Sequence, residues 1–368
     1  EDSFSNCKFL TKIAISTSVT SIGNSAFYSC TSLSSIDISN NIISIGDYAF
    51  ESCTSLTKVN IGNSVSTIGE YAFYNCVSLT SIDVDTSNPS YSSLDGVLYN
   101  KDKTLLIQYP IGNSRTSYSI PPSVTVIGES AFSHCTSLTS INIPDSVTEI
   151  DDFAFSHCTS LTTISIPNSV ENIGDNTFYS CTSLTSINIP SSVIFIGKAA
   201  FSHCTSLTSI EIPGSVAKIS DNTFYSCTSL TSINMSDNIT SIGNSAFYNC
   251  SSLTSITISD FVTYIGEKAF GGCQSLSSIV IGNSVASISE YMFYDCTSLT
   301  AISIPNSVTY IGEGAFSHCI SLTSINIPDS VIEIDDFAFE SCITLTCVSY
   351  KGTKEITNIG KEYLDFQV

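Results

Sequence analysis

Cysteine recurs at a fixed interval of 23 residues along most of this 368-residue chain. Fourteen of the 15 cysteines keep this spacing, first from Cys7 to Cys76 and then from Cys135 to Cys342. Counted from each cysteine as position 1, the unit reads C-T-S-L-T-S-I-x-I-P-x-S-V-T-x-I-G-x-x-A-F-x-x, and residues 135–157 are a nearly ideal copy. A constant period of this length is typical of a solenoid, in which each coil packs only on its neighbours.

Several columns of the unit are apolar in nearly every copy, which predicts where the core lies. Position 4 is Leu, position 16 is Ile and position 21 is Phe, while positions 7 and 9 are mostly Ile on either side of a polar residue, as in Ile141 and Ile143. This alternation is typical of a half-buried strand, and L-x-x-I-x-I is a leucine-rich-repeat strand pattern. The predicted fold class is a leucine-rich-repeat solenoid, mainly β, with a long parallel sheet, short second strands, one-turn helices around Ala-Phe and about 15 coils.

Two columns that precede the Phe position, positions 17 and 18, predict features of the backbone. Position 17 is mostly Gly, such as Gly128, which predicts a turn with an unusual backbone angle. Position 18 is usually acidic, and the favoured interpretation is that these carboxylates complement free N–H groups at the start of a one-turn helix. The alternative is a ladder of cation sites, although Ca²⁺ needs six to eight oxygens. The acidic members are Asp47, Glu70, Glu129, Asp152, Asp175, Asp221, Glu267, Glu290, Glu313 and Asp336.

One coil departs from the period. The interval between Cys76 and Cys135 is 59 residues, so it holds an ordinary coil and one of 36 residues. Within the long coil, residues 97–107 read as a β-hairpin with a polar turn. The predicted organisation is a single solenoid over residues 1–350, with this enlarged coil at 84–122, followed by a C-terminal capping segment at 351–368, where the register is lost.

Composition argues against several classes of partner. The formal net charge is −21, with 33 acidic and only 12 basic residues, so nucleic acid and anionic lipid are both disfavoured. No apolar run approaches the ~20 residues that span a bilayer, which predicts no direct membrane insertion by this segment. The chain starts at Glu1 inside a repeat, and the corresponding expectation is a mature or trimmed fragment, with any signal or anchor outside it.

The cysteines and histidines are the first candidates for chemistry. The ladder cysteines are predicted to be reduced, buried and apolar in role, with occasional disulfides between neighbouring coils as the alternative, and Cys347, outside the ladder, is predicted to be the most reactive thiol. The absence of a CxxC motif argues against zinc. His134, His157, His203 and His318 each precede a ladder cysteine, and a surface column is favoured over a metal site at the first two. No Ser or Thr lies in a nucleophile elbow, so neither an enzyme nor a cofactor is predicted.

The pattern resembles the BspA-like leucine-rich-repeat family of surface and secreted proteins. The resemblance rests on I-P-x-S-V-T-x-I-G-x-x-A-F-x-x-C-x-S-L, as in residues 120–138, and on the longer coil from Asn88-Pro89 to Tyr109-Pro110. It implies a non-enzymatic protein located at the cell surface or secreted, linked to adhesion, with host matrix proteins such as fibronectin and fibrinogen as partner types.

Binding is predicted on the face that the strands line. The outward position 8 of the strand is short, polar and weakly acidic in most coils, and these residues form the candidate ligand-binding face: Asp37, Asn60, Asp83, Asn142, Ser165, Asn188, Glu211, Asn234, Thr257, Ser303 and Asn326. A solvated strand face without a partner explains the same pattern. The irregular hairpin offers a second candidate contact, because insertions in solenoids often lie on a functional face: Tyr99, Asn100, Lys101, Asp102 and Lys103. Asn234, Asn238 and Asn249 lie in N-glycosylation sequons.

Two functional hypotheses follow from these features. The first is an adhesin that binds host or extracellular proteins or glycans through many weak contacts along the repeats. The second is a structural protein that self-associates into a filament or surface coat. They differ in a measurable way, because only the second predicts polymerisation that depends on protein concentration.

Overall fold

The computed structural model describes residues 1–350. These residues fall into two compact units, one comprising residues 1–161 and the other beginning at Thr162. Every regular element among the described residues is a β-strand. No helix in the described part of the chain is long and apolar enough to cross a membrane. The prediction of a single solenoid domain stays a prediction, and the proposed capping segment at 351–368 lies outside the described residues.

The strands are short and regularly spaced. The first unit contains β1 Ser21–Ile22, β2 Ser35–Ile38, β3 Ser44–Ile45, β4 Lys58–Ile61, β5 Thr67–Ile68, β6 Ser81–Val84, β7 Tyr91–Leu94, β8 Val97–Asn100, β9 Leu105–Gln108, β10 Ser117–Ser119, β11 Val126–Ile127, β12 Ser140–Asn142 and β13 Glu149–Ile150. The second contains β14 Thr163–Ser165, β15 Asn172–Ile173, β16 Ser186–Asn188, β17 Phe195–Ile196, β18 Ser209–Ile212, β19 Lys218–Ile219, β20 Ser232–Met235, β21 Ser241–Ile242, β22 Ser255–Thr257, β23 Tyr264–Ile265, β24 Ser278–Val280, β25 Ser287–Ile288, β26 Ala301–Ser303, β27 Tyr310–Ile311, β28 Ser324–Ile327, β29 Glu333–Ile334 and β30 Cys347–Tyr350.

Most coils contribute one longer and one shorter strand, and within each ladder both kinds pair in parallel with the equivalent strand one period away. Ile210 pairs with Ile233 in the longer series, and Ile219 pairs with Ile242 in the shorter one. The parallel solenoid predicted from the sequence is therefore confirmed. The longer strands form several short ladders rather than one sheet, such as β2-β4-β6 in the first unit and β26-β28-β30 in the second. At β6 the cause is visible, because the Ile82 N–H donates to the Gly96 carbonyl of the enlarged coil at 2.8 Å.

The core consists of the Leu, Ile, Phe and Cys columns that the sequence identified. Phe201 is fully buried and stacks between Phe178 and Phe224, with ring centroids 5.4 and 5.7 Å away. Cys204 and Leu207 beside it have no exposed surface. Stacked rings combine a large buried apolar area with a favourable ring geometry, so the Phe column contributes strongly to the stacking of coils.

The segment around the Phe column is not a one-turn helix. We call positions 17–23 of each coil, such as residues 23–29, the arm. The N–H groups of Ser25, Phe27 and Ser29 donate to carbonyls of the next arm, each at 2.8 Å, while the Tyr28 N–H bonds three residues back, to Ser25 at 3.1 Å. Ser25 and Ser29 have positive φ values of 52° and 53°, and positions 19 and 23 repeat this in nearly all coils.

A left-handed residue every fourth position prevents a continuous helix. The predicted one-turn helices are therefore wrong, and each arm is instead a run of turns that is hydrogen-bonded to its neighbours.

The Gly and acidic columns have different roles from those expected. The position-17 glycine Gly46 does not have a positive φ; a Cβ on it would lie only 2.5 Å from the Asn24 nitrogen, so close packing of successive arms requires glycine there. The acidic Asp47 does accept a backbone N–H through Oδ1, but the donor is Glu70 of the next coil, at 2.9 Å. The same column therefore connects coils rather than capping a helix.

Candidate binding surfaces

In the first unit, the outward residues of the longer strands already interact with one another. The Asn60 side-chain amide donates to Asp37 Oδ1 at 2.6 Å, and Lys58 Nζ lies 2.7 Å from Asp83 Oδ2. Asn142 is exposed on β12. Ion pairs that are half exposed are worth at most about 1 kcal/mol, so a ligand can displace them at little cost.

In the second unit, the predicted face is exposed along its whole length. Ser165, Asn188, Glu211, Asn234, Thr257, Ser303 and Asn326 all point away from the core. A shallow depression of about 480 Å³ lies over β16, β18 and β20, with Glu211 between Asn188 and Asn234. The side chains here are short, so the surface presents one carboxylate and several hydroxyl and amide groups to a flat partner.

A row of threonines beside this face was not identified as a site from the sequence. The hydroxyl of Thr231 donates to the Thr208 carbonyl at 3.1 Å, and Thr208 bonds Thr185 in the same way at 3.4 Å. Because each hydroxyl proton is already used, this row offers acceptor lone pairs and methyl groups at fixed spacing. The recurrence of Thr at position 5 was the signal that could have found it.

The hairpin of the enlarged coil differs from a simple exposed loop. Strands β8 and β9 are antiparallel, and a further antiparallel strand, β7, precedes them. Tyr99 is fully buried and its hydroxyl is hydrogen-bonded to that of Tyr118, so it is not available to a ligand. Asn100 closes the turn by accepting the N–H of Thr104 at 2.9 Å.

The hairpin turn itself is more accessible. Lys101 and Asp102 are exposed, with the Lys101 ammonium group donating to the Asn88 carbonyl, and Lys103 has a positive φ of 54°. For these residues a binding role stays a prediction.

The enlarged coil also has a shortened arm, which the sequence analysis missed. β9 pairs with β11 so that Leu106 lies opposite Ile127, and the Tyr109 ring stacks on Phe132 at 5.3 Å. Tyr109 therefore occupies the Phe position, only three residues after Leu106 instead of five. The longest coil of the chain has an arm two residues shorter than the others.

A cleft of about 240 Å³ lies where the missing part of this arm would be. We call it the arm cleft. Residues 69–74 of the preceding arm form one wall and residues 128–130 of the following arm form the other, with Ile68, Leu98, Leu105, Ile107, Gln108 and Asp151 completing the lining. Two side-chain pairs join the walls: the Tyr71 hydroxyl donates to Glu129 Oε1, and the Tyr74 hydroxyl lies 3.1 Å from His134 Nε2.

The arm cleft is acidic. Glu70, Glu129 and Asp151 line it, and no Lys or Arg is among its described lining residues. The pKa of Asp151 is raised to about 6, chiefly by burial and then by the charges of Glu149 and other nearby carboxylates. Burial, and then the bond to Glu129, also raise the pKa of Tyr71, so its hydroxyl stays protonated and acts as a donor.

The four histidines occupy position 23, where the backbone is left-handed. Their φ values are 57–63°, and His, Asn and Asp tolerate this region better than most residues, which is consistent with the presence of these three residue types in the column. His134 stacks on His157 with centroids 4.4 Å apart, and burial followed by the charge of His157 lowers the pKa of His134. Within residues 1–350 there is no cluster of three His, Cys, Asp or Glu side chains that could hold a metal ion.

The ladder cysteines are free thiols with a specific contact. Cys204 Sγ donates to the carbonyl of Phe178, 26 residues earlier, at 3.2 Å, and the other ladder cysteines that bond a Phe at this separation do so at 3.1–3.2 Å. Burial raises the pKa of Cys227 to about 12, which keeps the thiol protonated and unreactive. Cys347 is exposed.

The three sequons differ in accessibility. Asn234 and Asn238 are exposed, although the Asn238 side-chain amide donates to the Gly214 carbonyl at 2.6 Å. Asn249 is half-buried and donates to Ser226 Oγ at 3.2 Å. Asn234 is therefore the sequon whose amide is most available, and it lies on the candidate binding face.

Comparison with known proteins places the chain in a family. Residues 1–99, 112–231, 174–299, 217–346 and 286–365 match the BspA type leucine rich repeat region, in 6 copies. Among solved structures, a leucine-rich repeat protein from Bacteroides ovatus is 31% identical, with 91% of this chain and 78% of that chain covered and a TM-score of 0.58. A leucine rich cell surface protein from Faecalibacterium prausnitzii is also 31% identical, with coverage of 87% and 88% and a TM-score of 0.53. No curated protein gave a match. With repeats matched along nearly its whole length, the chain belongs to the BspA-type leucine-rich-repeat family.

Proposed function

We propose that this protein is a non-enzymatic adhesin, displayed at the cell surface or secreted, which binds host or extracellular proteins or glycans through the outward face of its longer strands. The observation that supports this most is the exposed depression around Glu211, where three coils present polar side chains next to one another. The family is typically a non-enzymatic scaffold for protein interactions, and one similar protein is described as a cell surface protein.

The chemistry of the face fits broad, weak recognition. It has few aromatic anchors, and tight interfaces usually depend on such anchors. Repetition compensates, because several weak contacts made by one chain raise the overall affinity without any single strong site. An acidic face favours partners with basic patches, through faster association and exclusion of acidic partners.

The proposal is tested by measuring binding of the purified protein to immobilised fibronectin, fibrinogen and host-cell surfaces. Replacing Asn188 and Asn234 with Lys introduces charge on both sides of Glu211 and is expected to reduce binding at least about tenfold. Glu171→Lys, an exposed substitution away from this face, is the matched control and should leave binding unchanged. Equal binding by all three proteins would refute the strand face as the site.

Light scattering of the same sample over a concentration series distinguishes the rival function. A monodisperse protein that binds saturably supports the adhesin. Growth of particle size with concentration, together with no binding to any of these surfaces, would replace it with a structural protein that assembles into a filament or coat.

A further inference from the structure

The arm cleft contains backbone groups that are paired in ordinary arms and unpaired here. In the preceding pair of coils, the N–H groups of Tyr48, Phe50 and Ser52 donate to the next arm at 2.8–2.9 Å. The equivalent N–H groups of Tyr71 and Phe73 face the arm cleft and have no acceptor among the described residues. Unpaired backbone donors away from bulk water are costly, so a ligand that satisfies them gains free energy.

The opposite wall of the arm cleft has an unpaired backbone acceptor. The carbonyl of Ala131 accepts the Tyr109 N–H at 2.8 Å, but the Glu129 carbonyl has no donor among the described residues. The arm cleft therefore presents donors on one wall and an acceptor on the other, as a missing stretch of polypeptide would require. A peptide carries both kinds of group on one backbone, whereas a simple anion carries acceptors only.

The charge of the arm cleft restricts the ligand further. Glu70, Glu129 and Asp151 repel an anion or an acidic side chain and attract an ammonium or guanidinium group. Leu105 and Ile107, both half-buried apolar residues in its lining, suit the aliphatic part of Lys or Arg.

We propose that the arm cleft binds a short extended peptide segment carrying a Lys or Arg side chain, whose backbone takes the place of the two residues that the enlarged coil lacks. The carbonyls of the peptide accept the Tyr71 and Phe73 N–H groups, its N–H donates to the Glu129 carbonyl, and its cation lies among the carboxylates. This site is separate from the strand face and does not depend on the adhesin proposal.

The probe is the blocked tetrapeptide Gly-Lys-Ala-Gly, compared with Gly-Glu-Ala-Gly, and the measurement is amide hydrogen exchange of the whole protein followed by NMR. In the free protein, the amides of Tyr71 and Phe73 should exchange faster than those of Tyr48 and Phe50. The Lys peptide should slow them, with an affinity at least about tenfold higher than that of the Glu peptide. Unchanged exchange at Tyr71 and Phe73 with saturating Lys peptide would overturn the proposal.

Two variants make the test specific. Inserting Ser-Ala between Gln108 and Tyr109 makes the spacing from Leu106 to Tyr109 equal to that from Ile127 to Phe132 in the following coil. The insertion should protect the Tyr71 and Phe73 amides and abolish peptide binding. Peptide binding that survives in a folded insertion variant would place the peptide elsewhere.

Glu129→Gln retains an acceptor for the Tyr71 hydroxyl but removes a charge, and it should weaken the Lys peptide several-fold without weakening the Glu peptide. The matched control is Glu313→Gln, because Glu313 accepts the Tyr291 hydroxyl at 2.5 Å between two ordinary arms. An equal effect of both substitutions would also contradict the proposal, and this comparison remains decisive if the insertion variant does not fold.

Discussion

The ordinary arm and the shortened arm of the enlarged coil differ in how their backbone groups are hydrogen-bonded and in how their aromatic rings pack. In the ordinary arm at residues 23–29, alternate N–H groups bond the next arm, and the Phe ring stacks on rings on both sides. In the enlarged coil, Tyr109 replaces the Phe, its hydroxyl is buried without a hydrogen-bond partner, and the arm ends two residues early. The enlarged coil therefore has extra strands but a shorter arm, and the arm cleft lies where the missing arm residues would be.

The largest expected loss of stability comes from the Phe column of the ordinary arms. Phe201→Ala removes a fully buried ring from between two others and should lower the free energy of unfolding by about 3–5 kcal/mol. Urea denaturation followed by circular dichroism measures it. Phe195→Ala, at a ring that is 46% exposed, is the control and should cost much less. Similar losses for the two variants would mean that the ring column is not what holds the coils together.

In the enlarged coil, a buried polar side chain, Asn88, is expected to be nearly as important for stability as the Phe rings are in the ordinary arms. Asn88 is fully buried, its side-chain amide donates to the carbonyls of Gly62 and Val65, and its Oδ1 accepts two backbone N–H groups at 2.8 Å. Asn88→Ala leaves several buried groups unpaired and should cost about 2–4 kcal/mol, with hydrogen exchange accelerated first in residues 84–122. The exposed Asn168→Ala serves as the control. A loss below that of the control would show that the enlarged coil does not depend on this side chain.

The Tyr99–Tyr118 pair should have an intermediate effect. Tyr99→Phe leaves the Tyr118 hydroxyl buried without its partner and should lower the free energy of unfolding by about 1–3 kcal/mol. Adding Tyr118→Phe should recover part of this loss, because both unpaired groups are then gone. Strictly additive losses in the double-mutant cycle would indicate that the two hydroxyl groups do not interact.

Tyr109→Phe should increase the stability of the protein, unlike the preceding substitutions. It restores the Phe of the ordinary column and removes a buried hydroxyl that has no hydrogen-bond partner, so it should stabilise the protein by up to about 1 kcal/mol. Differential scanning calorimetry measures the change in Tm. The equivalent reverse change, Phe132→Tyr in the adjacent ordinary coil, should destabilise. Destabilisation by Tyr109→Phe would reveal a role for the hydroxyl in the enlarged coil.

The smallest effect concerns Asp151 and depends on pH. Its folded pKa of about 6 lies above the value of ~3.9 expected in the unfolded chain, so its ionisation destabilises the fold as pH rises through this window. Asp151→Asn should therefore raise Tm at pH 7.5 and leave it nearly unchanged at pH 3.5, with a contribution below about 1 kcal/mol because the group is partly exposed. Asp145→Asn removes an equal charge at an exposed position. The same pH-dependent gain in that control would assign the effect to net charge.

The sequence predicted what depends on side-chain periodicity. The Leu, Ile, Phe and Cys columns, the parallel pairing and the outward position 8 follow from which residues alternate, and Ile210 opposite Ile233 is an example. It did not predict the arms, because the decisive property is backbone conformation: Ser25 and Ser29 are left-handed, yet serine carries no strong signal for that region. The Gly column was assigned to turn geometry for the same reason, whereas contact between successive arms explains it.

The arm cleft was missed for a related reason. The hairpin at 97–107 drew attention because it adds residues, while the deletion of two residues between Leu106 and Tyr109 is visible only when Tyr109 is aligned with the Phe column. Tyr in place of Phe concealed that alignment. The burial of Tyr99 was not predicted either, because a tyrosine in a hairpin is compatible with both a buried position and an exposed binding position.

The direction of the arm hydrogen bonds gives each unit an electrostatic polarity. In the ordinary arms, the N–H groups at positions 19, 21 and 23 point toward the following coil and the carbonyls that accept them point toward the preceding one, so these peptide dipoles are aligned along the stack instead of alternating as in an ordinary strand. A duplicated coil joins such a stack only in one orientation, which a tandem duplication in the chain supplies automatically. Growth of this protein by whole periods is thus compatible with its backbone, whereas a coil inserted in reverse would bring like poles together.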